Sequence, residues 1–169
     1  MRIEEKIGVL LRDKGHTLSV AESCTGGRIS HLLTTVSGSS SYYLGSVTSY
    51  AVSVKEAVLG VPEEVIRSQG VVSAAVAAAM AEGVRRLTGS TFSVATTGLA
   101  EGGDGRYPEG SVWIAASGPR GTKTLFFRSE GGRRANIRNF ARAALYFLFE
   151  YIKEEENIDN ENIKQKSYA

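Results

Sequence analysis

The sequence predicts an α/β protein, a three-layer α/β/α sandwich with a mixed β-sheet that includes one antiparallel hairpin. Three observations lead there. Helix-like segments with apolar residues every three or four positions alternate with short strand-like runs along most of the chain. Glycines and serines punctuate the junctions between them. Two neighbouring strand-like runs near the end are joined by Gly118-Pro119-Arg120-Gly121, a hairpin turn within an otherwise alternating order.

Each element follows from its residues. Residues 3–14 place Ile3, Ile7, Leu10 and Leu11 on one helical face, and Gly15 suits the C-terminal cap. Thr17–Ala21 alternates as a short strand and runs into the turn Glu22-Ser23-Cys24-Thr25-Gly26-Gly27. A helix bearing Ile29, Leu32 and Leu33 comes next. Tyr42–Tyr50 reads as a second strand, entered through the serine- and glycine-rich run 37–41. Residues 53–69 form one or two short helices, with Pro62 suited to a first turn. Ser73 is an N-cap candidate for a long helix bearing Val76, Met80, Val84 and Leu87. Phe92–Thr97 is a buried strand, and the glycine-rich loop Gly98–Gly110 follows it. The hairpin pairs Ser111–Ser117 with Thr122–Phe127. A closing helix over 134–152 buries Ile137, Phe140, Ala141, Ala144, Leu145, Leu148 and Ile152. One domain is expected over 1–152, and residues 153–169 read as a polar tail that frays.

Composition excludes several function classes. Lys and Arg number 20 against 18 Asp and Glu, and a net charge of +2 does not suit an electrostatically driven nucleic-acid binder. A single cysteine, Cys24, rules out a disulfide framework or a CxxC pair within one chain. Two histidines argue against a His-rich metal centre. No apolar run approaches the ~20 residues of a membrane span, and acids interrupt the apolar residues of the first segment. The expectation is a soluble cytoplasmic domain with no membrane or nucleic-acid partner, no metal and no cofactor. Charge is uneven, however: between 120 and 142 seven basic residues face only Glu130. That excess fits either an anion site or a solvated face.

In open α/β sheets ligands gather beyond the carboxyl ends of the strands. The first end supplies Ser23-Cys24-Thr25-Gly26-Gly27, the second Tyr50 and then Lys55, the third Thr96-Thr97-Gly98. Ser23 precedes a helix start, whose N–H groups could stabilise an oxyanion. A serine nucleophile needs a base, and neither His16 nor His31 is suitably placed. Lys55 is the better candidate, because a desolvated lysine loses its proton nearer neutral pH, with Tyr50 to relay or steady that proton. The same turn pattern also serves as ordinary capping chemistry, and Cys24 also fits a small buried residue.

The segments AESCTGG (21–27), Leu44–Val61 and TTGLAEGG (96–103) resemble the C-terminal domain of the competence/damage-inducible protein CinA, a family that includes stand-alone nicotinamide-nucleotide amidases. Supporting matches are GSS (38–40), LGV (59–61), GVVS (70–73), MAEG (80–83) and GSVWIA (110–115). The resemblance implies metal-independent hydrolysis of the carboxamide of nicotinamide mononucleotide to nicotinate mononucleotide and ammonia. It implies a nucleophile at Ser23, catalytic partners at Tyr50, Lys55 and Thr97, and a phosphate-side arginine at Arg134. Thr25, Gly26, Gly27 and Gly98 join Arg134 as candidate substrate-binding residues. The chain departs from the family pattern at 51–54, where Val52 replaces an Asn. It departs again at 101–109, where Glu101-Gly102 replaces Gly-Pro, and at Arg133, where an Asp is usual. Arg133 is expected to be solvated. Two other readings are a Ser-Lys amidase with a shifted substrate and a non-catalytic nucleotide-binding or assembly module. Homo-oligomers are common among small α/β enzymes and are expected here.

Overall fold

The computed structural model describes the backbone of residues 1–167 and the side chains through Asn157. Five strands, β1 (Leu18–Glu22), β2 (Tyr43–Thr48), β3 (Phe92–Leu99), β4 (Ser111–Gly118) and β5 (Gly121–Arg128), form one sheet in the order β2-β1-β3-β4-β5. β1 pairs in parallel with both β2 and β3, while β3–β4 and β4–β5 are antiparallel. The sheet is therefore mixed, with the hairpin at one edge. Its carboxyl-end crevice lies where the parallel strands β1, β2 and β3 meet.

Among the described residues six α-helices cover its two faces: α1 (Ile3–Lys14), α2 (Arg28–Thr34), α3 (Val52–Leu59), α4 (Glu63–Gln69), α5 (Ala74–Thr88) and α6 (Gly132–Ser167). Alternation along the strands separates two cores. Leu18, Val20, Val94, Val112 and Ile114 pack against α1, α2 and α6. Ala21, Ala95 and Ala115 face α5 together with Leu59 and Val61. That second face is built of small side chains, which lets α5 lie close to the sheet. Gly83 extends the close packing: a β-carbon there would stand 2.0 Å from the Leu59 carbonyl oxygen, where α5 meets the end of α3. Gly83→Ala is therefore expected to destabilise the protein by ~1–3 kcal/mol, seen as a lowered denaturant midpoint with an unchanged slope. An unchanged midpoint would contradict this packing.

The expected elements are present, with differences at their ends. Ser73 caps α5 by accepting from the Val76 amide (3.2 Å), as its sequence position suggests. Pro62 occupies the N-cap of α4 rather than its first turn. A 3₁₀ turn over Ser39–Ser41 leads into β2, and β3 runs two residues further than expected. The largest difference concerns α6, which starts at Gly132 and continues past 152 instead of fraying. Charge pairing holds it as far as Glu156. Glu156 meets His16 (2.6 Å) and Lys14 (3.2 Å), Glu155 meets Arg120 (3.3 Å), and Glu154 meets Lys123. The remainder of the polar tail lies outside the residues whose side chains are described.

Candidate active site

The turn after β1 is held rigidly. The Ser23 amide donates to the Thr96 carbonyl of β3 (3.2 Å), and the Ser23 carbonyl accepts from Gly26 (3.1 Å). Thr25 is buried with its hydroxyl 2.8 Å from that of Thr96. Gly26 and Gly27 take positive φ (59° and 94°), a conformation that side chains disfavour, so the chain reverses sharply into α2. The α2 N-terminus is not free for a substrate oxyanion. Glu22, fully buried, accepts from the amides of Gly27 (3.1 Å), Ile29 (3.0 Å) and Ser30 (2.8 Å). Its carboxylate caps the helix and fixes the turn from below. Among the described residues the amides of Cys24 and Thr25 make no hydrogen bond to another backbone group, which leaves them as candidate donors beside Ser23.

Lys55 arrives from the first turns of α3, just beyond the end of β2. Its side chain is completely buried, and Nζ lies 2.9 Å from Ser23 Oγ, 2.5 Å from the Ser49 carbonyl and 3.4 Å from the Tyr50 carbonyl. Burial holds its pKa below the ordinary lysine range. Among the described residues no carboxylate pairs with it. A buried lysine oriented by carbonyl groups and touching a serine hydroxyl can take a proton from that hydroxyl. Cys24 is different in character: burial pushes its thiol up to about 12, so it stays protonated near neutrality.

A cleft of about 480 Å³ opens over this pair, and Ser23, Thr97, Gly98, Tyr50, Glu101 and Arg133 are among the residues that line it. Thr97 donates to the Val71 carbonyl (2.9 Å), tying β3 to the segment before α5. The glycine-rich loop is pinned by its own contacts. Asp104 accepts from the amides of Arg106 (2.9 Å) and Tyr107 (2.7 Å), and the Tyr107 ring packs on Phe126 at 5.5 Å. Asn136 reaches from α6 to the Ala100 carbonyl (2.9 Å) and so sets the first turn of α6 against the cleft.

Two expectations about individual residues change here. The Tyr50 hydroxyl does not approach Lys55; it accepts from Arg133 (3.0 Å), and only the Tyr50 carbonyl reaches the amine. It is Arg133, rather than Arg134, that lines the cleft, with Glu101 at 4.0 Å. Adjacent helical positions differ by ~100° about the axis; both arginines are exposed, and Arg133 is the one whose phase sets it in the cleft lining. Sequence reasoning also missed Glu22 as a cap and the Ser49 carbonyl as the lysine's anchor. Among the described residues no three His, Cys, Asp or Glu side chains are grouped to hold a metal ion, and no helix is long and apolar enough to cross a membrane.

Residues 1–152 match the CinA C-terminal domain family. This chain belongs to that family. Among relatives of the CinA domain, a CinA-like protein of Salinibacter ruber is 48% identical over 145 residues, covering 85% of this chain and 35% of the relative. One from Desulfotalea psychrophila is 45% identical over 148 residues, covering 86% and 36%. The chain thus spans about a third of the length of these curated relatives. Solved CinA structures agree on the fold. The competence damage-inducible protein A of Klebsiella pneumoniae superposes with a TM-score of 0.86 at 29% identity, covering 89% of this chain and 95% of that one. The competence/damage inducible protein of Agrobacterium tumefaciens gives 0.79 at 33% identity, covering 88% and 94%.

Proposed function

We propose that this CinA domain is a serine amidohydrolase that deamidates nicotinamide mononucleotide to nicotinate mononucleotide and ammonia. The observation that carries the reading is the buried 2.9 Å contact between Lys55 Nζ and Ser23 Oγ at the floor of the cleft. With the amine neutral, the serine hydroxyl donates to the Nζ lone pair. Ser23 Oγ then attacks the carboxamide carbon as its proton passes to Lys55, while the Cys24 and Thr25 amides receive the oxyanion. The C–N bond breaks and the lysine returns the proton to the departing nitrogen, releasing ammonia. Water, deprotonated by the same amine, hydrolyses the acyl ester and restores Ser23. No metal or organic cofactor enters these steps. The decisive assay is ammonia release from nicotinamide mononucleotide, with free nicotinamide as control. Release from the nucleotide alone is expected, and folded protein that binds it without turnover would instead indicate a binding module.

A phosphate on the substrate calls for a fixed cation at the cleft, and Arg133 is the arginine in position to supply it. Charge-assisted bonds of this kind contribute ~1.5–3 kcal/mol, so Arg133→Ala should weaken nicotinate mononucleotide binding by roughly ten- to a hundredfold. Arg134→Ala should cost far less. Calorimetry with the nucleotide and its dephosphorylated nucleoside separates the outcomes: equal losses for both ligands would remove the phosphate role. One observation favours a shifted substrate. Two departures from the family pattern, Glu101 and Arg133, approach each other at the cleft mouth (4.0 Å). Ammonia release from a panel of other carboxamides, exceeding that from the nucleotide, would establish that second reading.

A further inference from the structure

On the outer face of the sandwich, away from Ser23, a cavity of about 570 Å³ lies among α1, α2 and α6. Arg28 from α2 and Arg138 and Arg142 from α6 line it. The two α6 arginines stand four positions apart, on one helical face. None of the three makes an ion pair among the described residues. The one carboxylate in the lining, Glu4, is already engaged by Arg2 at 3.4 Å. Arg28 Nε is shielded from solvent and has no acceptor. A buried guanidinium donor left unpaired is unfavourable unless something supplies an acceptor. Three guanidinium groups without ion pairs on one lining leave an excess of positive charge there, which favours an anion. Tyr146, half exposed, adds an aromatic surface at the same wall.

We propose that this cavity is a second anion site, separate from the Ser23 cleft, that takes a ligand bearing two or more phosphate-type charges. Guanidinium forks bind phosphate oxygens in pairs, which lysines do not. Arg28 contributes a guanidinium whose Nε still lacks an acceptor, while Arg138 and Arg142 supply exposed charge on the same lining. The chemistry fits inorganic pyrophosphate or the diphosphate of a nucleotide, whose base would meet Tyr146. The inference stands on its own residues and does not depend on the reaction at Ser23.

Titration calorimetry of the full chain with pyrophosphate and with ADP tests it. Saturable, salt-sensitive binding of pyrophosphate is expected. It should weaken at least about tenfold in the Arg138→Gln/Arg142→Gln double variant and in Arg28→Gln, and persist in Arg133→Gln and Ser23→Ala. Arg28→Lys keeps the charge but loses Nε, so it too should bind more weakly. Tighter binding of ADP, reduced to the pyrophosphate level by Tyr146→Ala, identifies a nucleotide as the ligand; equal affinities identify the phosphates alone. Circular dichroism checks that each variant is folded. Absence of binding at millimolar concentration overturns the proposal. So does binding that disappears in Arg133→Gln but survives in the double variant, or capture of a polyglutamate peptide with no response to pyrophosphate.

Discussion

Ser23→Ala is expected to lower amide hydrolysis by at least about 10³-fold while leaving the fold intact. The substitution removes one hydroxyl from a turn whose backbone is fixed by other means. The amide of residue 23 still donates to Thr96, its carbonyl still accepts from Gly26, and Glu22 still caps α2. Lys55 Nζ keeps the Ser49 carbonyl at 2.5 Å. The loss in stability is therefore about one hydrogen bond, ~1 kcal/mol. The neighbouring thiol offers no substitute, because burial keeps Cys24 protonated, with its pKa pushed up to about 12. Cys24→Ser should accordingly retain substantial turnover. The two variants form one test, read as ammonia release and as acyl-enzyme mass after quenching. Near-normal turnover in Ser23→Ala would leave Ser23 as a turn residue only. Complete loss in a folded Cys24→Ser would transfer the nucleophile to the thiol.

The layers of the fold were legible because α1, α5 and the strands carry apolar residues at the periods their geometry requires. The C-terminal extent of α6 was not. Lys14, His16, Arg120 and Lys123 lie far from Glu154, Glu155 and Glu156 in the chain, and nothing local marks those acids as tertiary partners instead of solvated charges. The site divides in the same way. Ser23 and Lys55 could be paired in advance because β1 and β2 are neighbouring parallel strands, which bring their carboxyl ends together. The choice between Arg133 and Arg134 depends on the rotational phase of α6, which Asn136 sets through the Ala100 carbonyl. Glu22 reads as a polar turn residue until its three amide donors are in view. The expectation that α2 offers its N-terminus to an oxyanion failed for that reason: a side chain of the protein already holds those donors.

Lys55→Met is expected to reduce turnover by ~10²–10⁴-fold, the usual contribution of a positioned general base, with a smaller effect on nucleotide binding. The wild-type rate should rise with pH, because only the neutral amine accepts the serine proton. Burial lowers the lysine pKa, so this rise falls below the ordinary lysine range. Stability carries an independent signature. Between the depressed folded pKa and the unfolded value near 10.5, the unfolded chain binds a proton that the native protein does not. Stability therefore increases with pH across that window, levelling off above the unfolded pKa, and the contribution is absent in Lys55→Met. Denaturant titrations of both proteins from neutrality upward should show the wild type gaining on the variant as pH rises. Because every other titrating group is shared, the difference isolates Lys55. A pH-independent difference in stability, together with turnover surviving in the methionine variant, would mean that the buried amine is not the base and that its 2.9 Å contact with Ser23 is structural.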